Sequence, residues 1–568
     1  MSKYLISSKK FIGCCFLVIL DAINVALMAV LLKQTLDAAT SGSIKNLMFT
    51  ASLIVIFMIE YSVVSWGTRT IKIYYISDVM FRLKEDLFSA IVNKNRSNFG
   101  EKNSAEYISL FNNELKLIEQ NYFNSFFLIL RSIVILIVSL AIMISIQPIV
   151  SCIAIILSFL PVLIPKLCGK SLSAITEKYT EQLKKYNRIV NDMFSGIAVI
   201  KSFELENYMS DQHKENNNMV ESARRDMGKK KAVVDVFTNF IAVGMQFTVF
   251  VVAGIFVVLK KITAGDVIAI TQLMNKVVNP VFDIIDSMNN MQSVKTIEKG
   301  LINIIYDKTN NMHSSEQNME VGRIDIKNLS FAYVLEEVTI PDMTVSFERG
   351  KKYAIVGESG SGKSTLLKLV AGYLDGYTGS IYYDDVNLKE VEWKDRIKLF
   401  SVINQDIYLF EGSIRNNIIF DQQVDDSLLN EVLDKVKLND TFKKKGTDAS
   451  YQLTNNGENL SGGEREKIAI ARALVRGKKW LLIDEATASM DNDTLMQIEN
   501  MLLHLKDIAC INITHRYNED ILKLYDEIIV LQRGKIVEKG TFEQLIKRNG
   551  VFGKLYTQDL CNVQTCDR

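Results

Sequence analysis

Six long apolar runs crowd the first 295 residues of this chain, and nothing comparable follows them. They cover about residues 11–33, 47–67, 122–146, 149–167, 234–259 and 264–292. At 1.5 Å per helical residue each can cross roughly 30 Å of hydrocarbon, the fourth only just. Lipid leaves a single helical span no unpaired backbone group to expose, so runs of this length predict a six-span helical bundle. At 568 residues the chain is also too long for one compact domain, and its last 250 residues read as a soluble α/β unit.

Charge orients the spans. Lys and Arg number three before the first run, eight in 68–121 and thirteen in 166–233. The other side holds only Lys45, Lys260 and Lys261 in short loops. The bias predicts that both termini and both long connections are cytoplasmic. The first run, Phe11–Leu32, is too long for a secretory core and lacks a small-residue cleavage site, so it reads as a retained span. Segment 170–232 is nearly free of Pro and Gly, which predicts that the spans continue into the cytoplasm as helices. Turns at the ends of such extensions are expected near 107–116, with Asn112, Asn113 and Glu114, and near 202–212, with Phe203, Glu204 and Glu206. These are either contact points for a soluble domain or plain solvated helix ends.

Asp21, Glu60, Arg131, Lys276, Asp283 and Asp286 fall in or beside the spans. Each costs about 2.5–3.5 kcal/mol at the bilayer centre, so they should face the bundle interior or water. Either a polar path or internal ion pairing would account for them. The seven cysteines form no Cys-x-x-Cys pair, which argues against a disulfide framework or a zinc site. A net charge of +1 gives no footing for a nucleic-acid partner.

The soluble half begins after a polar, aperiodic stretch at 306–322, read as a linker between domains at 1–305 and 323–568. Lys352–Val356 reads as a buried strand. It runs into Gly357-Glu358-Ser359-Gly360-Ser361-Gly362-Lys363-Ser364-Thr365 and then a helical run. Strand, glycine-rich turn and helix in that order make a P-loop: glycines let the backbone wrap phosphate, and the helix amides point at it. Lys363 suits the β- and γ-phosphates, and the Ser364 hydroxyl suits Mg²⁺. Further on, the strand Trp480–Ile483 ends in Asp484 and Glu485. Asp484 fits the Mg²⁺ shell, and Glu485 is free to orient and deprotonate water. Between these elements lies Leu460-Ser461-Gly462-Gly463-Glu464, opening a helix.

A P-loop, this short signature and an acidic strand end, in that order, resemble the ATP-binding cassette (ABC) family. Six spans ahead of a single cassette resemble the half-size exporters of that family. The fold class is therefore an α-helical transmembrane domain with long cytoplasmic extensions, followed by an α/β P-loop ATP-binding cassette domain. The resemblance implies that Tyr333 stacks on adenine and that Gln405 touches Mg²⁺. It also implies that Ser489-Met490-Asp491 crosses to the other protomer and that His515 contacts the γ-phosphate. Ser461, Gly462 and Gly463 of one chain would cap ATP held by its partner, a second half-transporter, with a homodimer favoured. The setting implied is a bacterial plasma (inner) membrane.

Two positions depart from the family pattern. Glu464 stands where glutamine is commoner. The stretch Tyr451–Gly457 lacks the two glutamates that usually precede the signature and engage the coupling turns. An ATP-gated channel-like or regulatory ABC protein is the alternative reading; Glu485, His515 and the short linker favour a pump. A soluble chromosome-maintenance ATPase shares the signature but not the spans. Among substrates, peptides, lipids and amphiphilic drugs stay open, and the mixed intramembrane charges favour a peptide or other charged amphiphile.

Overall fold

The structure is a computed structural model that describes residues 1–566 apart from 7–8, 94–103, 159, 307–319, 335–336 and 486–489. Described residues of 1–92 and 104–306 form one compact unit, and those of 320–566 form another. Most of the expected linker lies outside the described residues.

The first unit is built on α1 (Lys9–Thr40), α2 (Ile44–Val92), α3 (Ser125–Ile146), α4 (Pro148–Ser158), α5 (Leu160–Ser195), α6 (Glu206–Val258) and α7 (Ala264–Ser293). With 49 and 53 residues, α2 and α6 are about 74 and 80 Å long, far more than a bilayer core requires. Among the described residues four helical runs are long and apolar enough to cross a membrane: Lys10–Thr40, Ile44–Val92, Glu106–Ile146 and Glu206–Val258. The last expected span, α7, falls short in apolarity because it carries Asp266, Lys276, Asp283 and Asp286. The fourth expected span covers α4 and the start of α5, with residue 159 between them outside the described residues. Side chains such as Ile56, Trp66, Phe240, Phe247 and Val258 are more than 60% exposed, as helices meeting lipid or another copy require.

Polar groups among the spans are mostly joined. Arg131 Nε donates to Asp21 Oδ2 at 2.9 Å, and Asn24 Nδ2 donates to both Glu60 oxygens at 2.9 and 3.1 Å. At the opposite end Thr263 and Asp266 form a capping box for α7, and Lys33 pairs with Asp266 at 2.6 Å. The turn expected near 107–116 is absent. Asn112–Glu114 lie inside a helical run from Ser104 that passes through π-helical stretches, Leu110–Glu114 and Glu119–Asn124, and on into α3. Leu110, Leu115, Ile118 and Phe123 bury one face of that run, and this burial outweighs the local polarity. The second expected turn is present: a short helix Ile197–Ser202 ends in a turn at 203–205, where Glu204 has φ 53° and Phe203 is exposed.

The second unit carries β1 (Arg323–Val334), β2 (Glu337–Glu348), β3 (Lys352–Val356), β4 (Thr378–Tyr383), β5 (Phe400–Ile403), β6 (Trp480–Asp484), β7 (Ala509–Ile513), β8 (Glu527–Gln532) and β9 (Lys535–Gly540). One sheet has the order β9-β8-β3-β7-β6-β5, parallel except for β9 at its edge. The other is antiparallel, β2-β1-β4 with a short strand at 386–387. All five residues of β3, β6 and β7 are buried, as strands covered on both faces must be. The core between the sheets gathers Ile324, Phe347, Leu366, Tyr383 and Trp480, each worth about 1.5–3 kcal/mol of burial. Trp480 Nε1 donates to Val321 O at 2.9 Å, and the Gly322 amide donates to Asp384, so the last residues of the expected linker pack on this unit. A helical layer adds α8 (Lys363–Val370), α9 (Gly462–Val475) and α10 (Asn492–Leu503). In it Ile468 and Ile470 of α9 pack with Leu429, Leu433 and Phe442.

Candidate ATP site

Four neighbouring strands, β3, β7, β6 and β5, end on one edge of the parallel sheet, where open α/β sheets take ligands. The chain leaves β3 into the glycine-rich turn, β7 towards His515, β6 at Asp484 and Glu485, and β5 towards Gln405. Parallel pairing thus gathers residues distant in sequence, Ser364 and Asp484 being 120 positions apart and Gln405 and Glu485 80 apart.

The turn depends on its glycines in two places. Gly357 has φ 152°, and a Cβ there would lie 2.2 Å from Leu531 O. Gly362 caps α8 at φ 96° in the left-handed region. Lys363 Nζ curls back over the loop and donates to Gly357 O and Glu358 O, both at 2.9 Å. Burial pushes its ammonium below the ordinary lysine value, with Glu485 and Asp484 opposing. The Ser361 Oγ is buried without a partner among the described residues, whereas Glu358, Ser359 and Gly360 are exposed on the loop. Thr365 is buried, and its Oγ1 lies 3.4 Å from the Tyr333 hydroxyl. Tyr333 itself is 56% exposed, so its ring is open to a flat ligand beside the loop.

Ser364 Oγ donates to Asp484 Oδ1 at 2.8 Å. Burial raises the Asp484 carboxyl, Ser364 opposes this, and Glu485 adds to it. A hydroxyl and a carboxylate in contact offer oxygen donors that fit a hard cation such as Mg²⁺. Glu485 is held on both oxygens: Gln405 Nε2 donates to Oε2 at 3.0 Å, and His515 Nε2 lies 2.6 Å from Oε1. Its backbone is at φ 52°, a left-handed conformation that costs a non-glycine residue roughly 1–2 kcal/mol. Lys363, Ser364, Gln405, Asp484, Glu485 and His515 are thus brought together.

The signature does not join them. Ser461 caps α9, its hydroxyl and amide bonding Glu464 Oε2 at 2.9 and 2.8 Å. Among the described residues the hydrogen bonds of Ser461 all stay within this cap, and Gly462 and Gly463 open the helix beside it. Ser489 lies outside the described residues; Asp491 caps α10 through Thr494. The residues replacing the two glutamates, Gln452 and Asn455, sit in a short strand and a 3-10 turn, and neighbouring Asn456 accepts from Leu409 N at 2.9 Å.

One partner was not legible in the sequence. Lys445 pairs with Glu464 at 2.6 and 2.8 Å across 19 residues. Burial alone would raise the Glu464 carboxyl, but Lys445 and Ser461 outweigh it and hold the group below its ordinary value. A run of three lysines at 443–445 closing a helix before the signature was the available signal.

Comparison with known proteins bears on both halves. Residues 10–281 match the family described as the ABC transporter transmembrane region, and 340–488 match the ABC transporter family. The chain belongs to the ATP-binding cassette transporter family. It is an ATP-hydrolysing membrane exporter of half size, with one membrane unit fused to one ATPase unit. An ATP-dependent lipid A-core flippase of Pseudoalteromonas translucida is 25% identical over 94% of this chain and 92% of its own length. A multidrug-resistance-like ATP-binding protein of Buchnera aphidicola is 25% identical over 98% of this chain and 96% of its own. The structure of a bacterial Atm1-family ABC exporter with ATP bound shares the fold, with a TM-score of 0.80 at 19% identity, covering 97% of this chain and 98% of that one.

Proposed function

We propose that two copies of this chain form a pump in a bacterial plasma membrane, moving an amphiphilic lipid, drug or peptide outward at the expense of ATP. On this reading 1–305 is the membrane domain, 306–322 the linker and 323–568 the ATPase domain, with both termini cytoplasmic. Residues 357–365 hold the phosphates and Tyr333 stacks on the adenine. Ser461, Gly462 and Gly463 of the partner copy close the site from the other side, which agrees with their standing apart from the loop within one chain. Ser364, Asp484 and Gln405 would hold Mg²⁺, which neutralises phosphate charge when bound. Glu485 takes the proton of the attacking water while Gln405 and His515 fix its orientation, and His515 faces the γ-phosphate. Closure of the two sites biases the membrane helices between inward- and outward-open states, so hydrolysis resets an alternating-access cycle.

The observation that carries this reading is the Glu485 carboxylate, held by one donor on each oxygen beside the Ser364–Asp484 pair. A glutamine at 485 keeps the shape but cannot accept a proton. Glu485→Gln should therefore leave ATP binding intact and lower turnover about 10²–10⁴-fold. Turnover within twofold of the parent, measured by phosphate release in lipid, would remove Glu485 from the chemistry.

A further inference from the structure

Two cavities follow one another along α2, the first in a groove against the helical run at 119–124 and the second among α1, α2, α3 and α7. The first, about 610 Å³, is lined by Arg69, Lys72 and Lys84, with Glu119 as its carboxylate. The second, about 220 Å³, is lined by Arg131 and Lys276, with Asp283 as its carboxylate. Tyr61 and Lys72 are eleven residues apart on α2, and Asn124 and Arg131 are seven apart along the α3 run. Both spacings are near-whole helical turns, so the cavities share helix faces at an axial distance of roughly 10–16 Å. The first lies where the positive-inside bias puts the cytoplasmic edge of the membrane, and the second lies within the spans.

Most cations of these cavities stand without a counter-charge among the described residues; so does Glu119 beside the first, while Arg131 in the second is paired with Asp21. Carboxylates in and around the second cavity are engaged: Asp21 by Arg131, Glu60 by Asn24, and Asp283 by Ser132 at 3.5 Å. Among the described residues Arg69, Lys84 and Lys276 make no ion pair or hydrogen bond, and Lys72 meets only the Phe127 ring, 5.9 Å from its centroid. An ionisable side chain kept within a span without a counter-charge marks a ligand path, and Lys276 is such a residue. The walls beside them are apolar and aromatic, with Phe57 and Tyr61 stacked at 6.2 Å and Met28 and Ile135 alongside. We propose that these cavities recognise the transported molecule as an amphiphile with an anionic head group, a phosphate or carboxylate. The head group enters against Arg69, Lys72 and Lys84 and passes to Lys276 and Arg131, while the apolar body lies on Phe57 and Tyr61. The inference rests on the exporter reading and narrows its substrate class.

The test uses the full chain in phosphatidylcholine nanodiscs with three single-chain probes: dodecyl phosphate, dodecyl maltoside and dodecyltrimethylammonium. Binding is corrected for empty discs. Dodecyl phosphate should bind about ten- to a hundredfold more tightly than the other two, the range for a hydrogen-bonded charge contact. Lys276→Gln and Lys72→Gln should each erode that preference, and Lys276→Arg should restore it. Equal binding of the three probes by the parent protein overturns the proposal whether or not any variant folds. A preference that survives both glutamine variants overturns it too. Repeating the measurement in discs containing phosphatidylglycerol separates the two sources of anion. Displacement of dodecyl phosphate by that lipid, with no change in ATP hydrolysis, would make the cavities a seat for bilayer lipid and overturn the substrate assignment. Hydrolysis without any probe tests the exporter reading separately.

Discussion

Replacing Lys445 with alanine removes the cation that is hydrogen-bonded to the signature's carboxylate. In the structure Glu464 is 9% exposed at its side chain and receives Lys445 on both oxygens, plus the Ser461 amide and hydroxyl on Oε2. Lys445→Ala leaves two neutral donors on a carboxylate that is mostly out of water. A charge-assisted bond is worth about 1.5–3 kcal/mol, but Lys445 is itself 49% exposed and solvent screens it, so about 1–2 kcal/mol is expected. Alanine is as good a helix former as lysine, and Lys443 and Lys444 still face the helix C-terminus, so little else changes. Hydrogen exchange of amides 461–466 in the full-length protein reads the opening energy directly. The pair's contribution has a sign in pH. Glu464 is held below its ordinary value, so the stabilisation is complete above that value and is lost as pH falls through the lower folded one. Lys445→Ala should therefore flatten the acid limb as well as raise exchange near neutral pH. A double-mutant cycle with Glu464→Gln that gave a coupling under about 0.3 kcal/mol would refute the pairing argument.

Three further outcomes can be checked. Glu499 on α10 is pushed up to about 7 by burial, with Arg516 opposing. The folded state thus binds this proton more tightly than the unfolded one, and stability falls as pH rises from the ordinary glutamate range to about 7. Glu499→Gln should recover about 2–3 kcal/mol above pH 7 and almost nothing near pH 4, seen as a Tm gain confined to the higher pH. Lys363→Ala chains co-expressed with Ser461→Arg chains should regain a fraction of parental ATPase activity, since each mixed dimer keeps one intact composite site; robust hydrolysis by a verified monomer would sink the shared site. On a background cleared of native thiols, an impermeant reagent on intact cells should label Lys45→Cys and spare Ser210→Cys, and labelling of the second would break the proposed topology.

Local information sufficed wherever the physics is local. The apolar runs located helices in the first half of the chain, four of them, among the described residues, long and apolar enough to cross a membrane, because a span must be long and apolar by itself. The strand-turn-helix at 352–370 was legible because Gly357 and Gly362 hold backbone conformations that other residues resist. What failed locally was the expected turn at 107–116: Asn112, Asn113 and Glu114 look like a break, yet burial of Leu110, Leu115 and Phe123 on distant partners carries the helix through them. The tertiary structure alone decided which charges meet. Gln405, Glu485 and His515 converge because β5, β6 and β7 pair in parallel, and pairing order has no short-range signature. The Lys445–Glu464 pair likewise arises only from packing. Within the membrane unit, sequence counted charges of both signs and could not say which were spent on each other. Packing bound Asp21, Glu60 and Asp283 to neighbours and left Arg69, Lys84 and Lys276 unpaired among the described residues, because an ion pair depends on helix rotation and depth, which a linear pattern does not encode.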